Sequence, residues 1–473
     1  MKLSFRLLIR SIVTIALATV TGGHAAAASC THYASPSGTS SGSSMSQPFK
    51  IANFWSMARP GHTLCLLDGQ YTGSVSMINP PDNLSGTSSA RITVRALNDG
   101  KVRINGQGRD YPVQLRFNNY FVIEGINASN SAGTVVSISR SHHNTIRRVA
   151  AWDAADGNHS IFGIHSATYS LLEDVAGWGI ARKIYESSQG GDNTTIRRSW
   201  GRWEGSHVVG PKMTYTLAYN NYNMIVENAL GTWSAERLKQ SYTLLDYFGK
   251  PWTGNGAGTY TNYRVDQPYG IFANDGFTGS DKNARSKLLG SLAYIRSSDR
   301  FQPGQAVFIT KIDSMEIAHT AAYIEPGTHT TKQRFGLHNL QSSTARNLVA
   351  RNLTGIGGKG SHYGSDWNKS GLAEGASLSS VTNPFTANGA GANLCFRYKD
   401  GVLTSQPLWP WPMNQRIIDA TLQSGRAAVD VTATVERLLG PIPAACKTTS
   451  TASGGTTPEP TAPSAPVNLT VSP

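Results

Sequence analysis

Acidic residues are scarce in this chain. Asp and Glu number 29 against 42 Lys and Arg, and charged residues make up only 15% of its 473 positions. That scarcity argues against a mainly helical protein. Cysteine is scarcer still, with four residues at 30, 65, 395 and 446. No CxxC spacing and no His/Cys cluster occurs, so a zinc site is not expected. No segment after the N-terminus is long and apolar enough to cross a membrane, and the apolar stretch SIVTIALATV is itself too short. Glycine is abundant instead, at 48 residues, and Trp and Tyr are plentiful. Such a composition suits a turn-rich β protein. The length would usually mean two or three domains, but long β architectures often run as one.

Residues 1–28 read as a secretory signal peptide. A basic start, an apolar stretch and a run of small residues follow one another, with cleavage expected near Ala28. The protein is therefore expected to be secreted, periplasmic or held at the cell surface. Ala28-Ser29-Cys30 also resembles a lipoprotein cleavage site without its leucine, which leaves a lipid anchor on Cys30 as an alternative. In an exported protein four cysteines imply disulfides, with three connectivities open; local pairing, Cys30–Cys65 and Cys395–Cys446, is expected. The signal carries Lys2, Arg6 and Arg10 and no acid, so the mature charge is 13 − 3, or +10. A basic exported protein favours an acidic partner or simple solubility, and an acidic polysaccharide is expected here rather than nucleic acid.

Five segments repeat: NYFVIEGINAS, HNTIRRVAAWD, YSLLEDVAGWG, NTTIRRSWGRW and YNMIVENALGT. Their anchors, Ile123, Ile146, Leu172, Ile196 and Ile225, lie 23, 26, 24 and 29 residues apart. Repeats of this length predict a solenoid whose coils bury their faces on one another. An earlier strand precedes each anchor: Leu115, Ile138, Ile164 and Leu217 lie eight residues before theirs, and Ile184 twelve before Ile196. This pattern resembles the right-handed parallel β-helix of the pectate-lyase-like superfamily, over about residues 30–375. The expected organisation is an all-β β-helix with its N-terminal cap over 29–375 and a C-terminal cap over 376–446. In the first cap a short helix carries Ile51, Trp55 and Ala58. In the second, two helices are expected, one with Asp430 as N-cap. A Ser/Thr/Pro-rich linker over 447–473 would end in PSAPVNLTVSP, which resembles a truncated fibronectin type III first strand. A monomer is expected.

Stacking the repeats gives columns. After the later-strand anchors come Glu124, Arg147, Glu173, Arg197 and Val226, then Gly125, Arg148, Asp174, Arg198 and Glu227. The alternation of sign predicts a structural ladder more than a polyanion site. Trp152, Trp178, Trp203 and Trp233 lie near one further column, as an internal stack or as a platform for sugar rings.

The earlier strands carry the candidate chemistry. Beside their anchors, Arg116, Ser139, His165, Tyr185 and Ala218 form one outward row and Gln114, Ser137, Gly163, Lys183 and Thr216 another. The resemblance implies a substrate groove along such a sheet. A polysaccharide lyase acting on a uronate needs a base, a proton donor and cations for the carboxylate. Lys183 would be the base, Tyr185 or His165 the donor, and Arg116, Arg140 and Lys212 the carboxylate holders. Trp203 and His207, in the longest connection of the run, would line the site. No catalytic signature of the superfamily is intact, so these roles rest on the columns alone. A glycoside hydrolase using Asp153 and Asp156 is the second enzymatic reading, and a non-catalytic glycan-binding or adhesion module the third. The sequence names no metal; calcium is the candidate, through Asp153, Asp156, Glu186 or Asp192.

Overall fold

A computed structural model describes residues 29–448, apart from 211, 219, 235–240, 256, 261–267, 275–284, 297–304, 311, 328–331, 339–346 and 386–389. The expected signal peptide and nearly all of the 447–473 linker lie outside the described residues. Cys30–Thr449 form one compact unit.

That unit is a parallel β-helix. Nineteen strands join in one sheet and nine in another, and the coil-to-coil pairings between them are parallel. One coil shows the plan. Ser160–His165 lies in the nine-stranded sheet. The chain turns into Leu171–Ile180 of the larger sheet and returns to the smaller one at Lys183–Ser188. The long strand bends midway at Asp174, whose φ is +51°. Arg148, Arg198 and Asn228 hold the same left-handed conformation in neighbouring coils, at +52°, +48° and +48°. That region is costly for residues other than glycine. Here the bent residues are tied down: Arg198 donates to Asp174 at 2.7 Å, and Arg148 pairs with Asp99.

The interior is a stack of anchors. Val94, Ile123, Ile146, Leu172, Ile196, Val226, Leu288 and Ile317 are in register, all buried. The fifth anchor is thus Val226 rather than the expected Ile225. The shift brings Glu227 opposite Arg197, and at the other end, one coil before the first repeat, Arg95 stands opposite Glu124. The ladder then alternates without a break: Arg95, Glu124, Arg147, Glu173, Arg197, Glu227. Arg147–Glu124 and Arg197–Glu173 close at 3.0 and 2.6 Å.

A second register differs from expectation. Ile164 pairs with Ser187, and Ser187 with Leu217. Ser187, not Ile184, therefore stands in the column of Ile164 and Leu217; Ile184 is buried in the core outside that column, and the row built around it dissolves. FGIHSA and FGLHNL fall in one register: Phe162 and Phe335 share a column, as do Ile164 and Leu337, whereas YGIFAN is offset by two residues.

At the N-terminal end, the helix Ile51–Met57 buries Ile51 and Phe54 in the same core. Both expected disulfides form. The C-terminal segment carries the two expected helices. Its helices, Asn414–Gln423 and Val431–Leu439, lie along one flank. Arg416 reaches Asp99, Arg426 reaches Asp153 and Glu204, and Arg437 reaches Glu325, so the segment crosses many coils. Asp430 caps the second helix through Ala433 N at 2.8 Å.

This segment explains the indoles. Trp152, Trp178 and Trp200 form an outer stack that the segment covers, with Trp152 and Trp178 5.0 Å apart and Trp178 donating to Ser424. Trp203 and Trp233 lie one column further on, in the solenoid core.

Candidate active site

The outer face of the nine-stranded sheet carries an ionisable cluster where Ser160–His165 meets Lys183–Ser188. Strand alternation turns Phe162 and Ile164 inward and leaves Gly163 and His165 outward. Gly163 is opposite Glu186, and His165 opposite Ser188. Glu186 is the centre. Its Oε1 lies 2.6 Å from Lys183 Nζ and accepts from Ser188 Oγ at 3.3 Å. Its Oε2 accepts from Ser160 Oγ at 2.5 Å and lies 3.2 Å from His165 Nε2. Glu186 and Lys183 are buried, whereas the His165 side chain is 30% exposed. Burial acts to raise the Glu186 carboxyl, but Lys183 and His165 overcome it and hold the group well below its ordinary range. Burial acts to lower the Lys183 ammonium, opposed by Glu186. With Nε2 turned to Glu186, Nδ1 is the His165 ring nitrogen that this carboxylate leaves unbound. Gly163 makes room for that ring, since a Cβ there would stand 2.9 Å from His165 Cε1.

A second imidazole–carboxylate pair stands nearby. Asp156 lies in the connection leading into Ser160–His165. Its Oδ2 is 2.6 Å from His207 Nδ1, and its Oδ1 accepts from Ser206 Oγ and His207 N at 3.1 and 3.0 Å. Burial raises the Asp156 carboxyl, and the bonds and charge of His207 more than reverse that, leaving it below its usual value. The His207 ring stacks on Tyr242 at 4.9 Å. His159 lies between the two pairs electrostatically: burial and Lys183 lower its pKa, while Glu186 and Asp156 pull it up.

The sequence-derived site is therefore only partly assembled. His165 and Lys183 come together, around a carboxylate considered only as a calcium ligand. Tyr185 does not join them. Its ring lies inside the solenoid between Phe162 and Tyr215, at 5.0 and 4.6 Å, and its hydroxyl donates to Trp200 O. Trp203 is interior too, donating to Ala181 O, and presents no face to a sugar. Lys212 is buried at 1% exposure. Arg116 and Arg140 are exposed. Arg116 shares a column with Ser139 and His165 and makes a two-point pair with Asp82; Arg140 lies over Phe117 and donates its N–H to His165 O.

Asp153 and Asp156, the hydrolase pair, are split: Asp153 turns to Arg426 and Asp156 to His207. The four calcium candidates are not gathered either, with Glu186 on Lys183 and Asp192 accepting from Tyr222 N. Among the described residues no group of three His, Cys, Asp or Glu side chains is placed to hold a metal. Sequence reasoning missed Glu186, Asp156, Ser160 and His159 as one neighbourhood. The available signal was GNHSIFGIH one coil below KIYESS.

No family model matches the chain, and no curated protein is significantly similar to it in sequence. Among solved structures, the pectate lyase Pel9A is similar at 14% identity and a TM-score of 0.49, over 82% of this chain and 90% of that one. An alginate lyase from Paenibacillus sp. str. FPU-7 shows 13% and 0.42, over 67% and 96%. A GH136 lacto-N-biosidase from Eubacterium ramulus shows 13% and 0.45, over 69% and 60%. The architecture, read from its own two parallel sheets, is a parallel β-helix. At these identities the likeness is one of fold alone. Two disulfides fit an oxidising, extracellular setting. No helix among the described residues is long and apolar enough to cross a membrane.

Proposed function

We propose that this protein is an exported polysaccharide lyase that cleaves a uronate-containing glycan by β-elimination, with His165 as the base. The observation that carries this reading is the half-exposed His165 imidazole, held by a buried Glu186 that Lys183 and Ser160 fix in turn. A carboxylate behind an imidazole orients the ring and stabilises its protonated form, as a general base requires. Lys183 then acts as a positioning residue; a buried ammonium bonded to Glu186 is poorly placed to take a proton from a glycan. The glycan would run along the column through Arg116, Ser139 and His165. Arg116 and Arg140 would meet its carboxylates.

A hydrolase fits less well. It needs one protonated carboxylic acid, with a raised pKa. Glu186 and Asp156 are both held low.

The test is incubation with polygalacturonate, alginate, glucuronan and hyaluronate, following the ultraviolet absorbance of the new C=C bond. Wild type should produce it on at least one, and His165→Gln should lose about 10²–10⁴-fold in rate. No absorbance on any of them would sink the reading, and binding without cleavage would leave the glycan-binding module in its place.

A further inference from the structure

The elimination needs a second proton transfer, because the glycosidic oxygen must leave protonated. We infer that the His207–Asp156 pair supplies that proton, an assignment that rests on the lyase reading above. Asp156 Oδ2 sits 2.6 Å from His207 Nδ1 and fixes the tautomer, so the opposite nitrogen, Nε2, is the one offered outward. The His207 side chain is 35% exposed, and its ring face is braced by Tyr242 at 4.9 Å. Asp156 is itself fixed by Ser206 Oγ and by the His207 N–H. His165 is held alike, by the buried Glu186 carboxylate at one ring nitrogen, Nε2.

The two pairs flank one stretch of chain, with Asp156 in the connection before Ser160–His165 and His165 at the end of that strand. His159 within it feels Asp156, Lys183, Glu186 and His165 together. Arg182 extends the cationic side of the site, with its guanidinium bonded to Asn158 Oδ1 at 2.7 Å and lying over Tyr247 at 4.6 Å. Lys183 is paired with Glu186, and His207 with Asp156.

The step balances. His165 Nδ1 takes the proton from the carbon beside the uronate carboxyl group. The C–H electron pair becomes the new C=C bond as the neighbouring C–O bond breaks. The departing oxygen keeps that bond's electrons and takes the Nε2 proton of the His207 imidazolium. His165 ends charged and His207 neutral, and exchange with water resets both.

A donor is dispensable when the leaving group needs no proton. The test compares the glycan cleaved by wild type with a synthetic uronide carrying 4-nitrophenolate at the scissile position. On the glycan, His207→Gln should lose about 10²–10⁴-fold; on the nitrophenyl uronide it should stay within about tenfold of wild type. His165→Gln should lose activity on both. Asp156→Asn should follow His207→Gln in direction, with thermal unfolding recorded for each variant. Equal loss on both substrates for both variants, or no loss on the glycan, would overturn the assignment while leaving the lyase reading intact. A wild type that yields no unsaturated product from either substrate overturns both.

Discussion

The two sides of the solenoid handle buried charge differently. On the flank covered by the C-terminal segment, carboxylates meet arginines from far away in the chain: Asp99 meets Arg416, and Asp153 and Glu204 meet Arg426. On the outer face of the smaller sheet, Glu186 and Asp156 meet Lys183, His165 and His207, all within two coils of their carboxylate. Arginine does not give up its proton in a protein, whereas histidine does so near neutrality. The flank is therefore built from partners whose charge is fixed, and the outer face of the smaller sheet from partners whose charge can change. The same contrast holds for rings, since the flank seals its indole stack while His165 and His207 keep an edge in solvent.

The largest effect expected from breaking this contrast is at Glu186. Glu186→Gln leaves a buried ammonium without its counter-charge and should cost about 3–5 kcal/mol in chemical denaturation. Turnover should fall by about 10²–10⁴-fold as His165 loses its orienting partner. The pH dependence has a definite sign. Glu186 is depressed in the folded state, so its contribution is fully present above the ordinary carboxylate range and is lost as pH falls through the lowered native value. Acid unfolding of Glu186→Gln should accordingly be flatter than that of wild type.

Arg426→Ala tests the other side. It should destabilise by about 1–3 kcal/mol, because Asp153 loses its two Arg426 hydrogen bonds and buried Glu204 keeps Arg202 alone, and glycan turnover by the remaining folded protein should hold. A loss of turnover without a loss of stability would erase the distinction between the two sides. Gly163→Ala is finer: its methyl group would push on the His165 ring and on Thr134 Cγ2, 3.1 Å away, so turnover should drop about tenfold, roughly 1.4 kcal/mol in barrier, while the unfolding temperature moves little. Smallest of all, Glu124→Ala removes a half-exposed rung and should cost only about 0.2–1 kcal/mol.

The coil repeat, both disulfides and the outward placement of His165 were legible because each follows from local spacing. The errors came where one strand broke that spacing. In KIYESS the apolar Ile184 looks like an anchor, yet Ser187 occupies the column. That slip turned Tyr185 outward on paper and hid Glu186. Trp203 misled similarly, one position beyond the column of Trp178. The course of the C-terminal segment was illegible for another reason. Arg416 and Asp99 are 317 residues apart, and nothing near either one names the other.

The unbroken ladder from Arg95 to Glu227 has a consequence for how such a chain can grow. Each rung is opposite in sign to the next, so the stack has parity. Deleting or duplicating a single coil within it would set Arg against Arg or Glu against Glu on adjacent strands, whereas a change of two coils would restore the match. Lengthening or shortening this part of the protein, by evolution or by engineering, should therefore cost less in even steps than in odd ones, by about 0.2–1 kcal/mol for each mismatched rung.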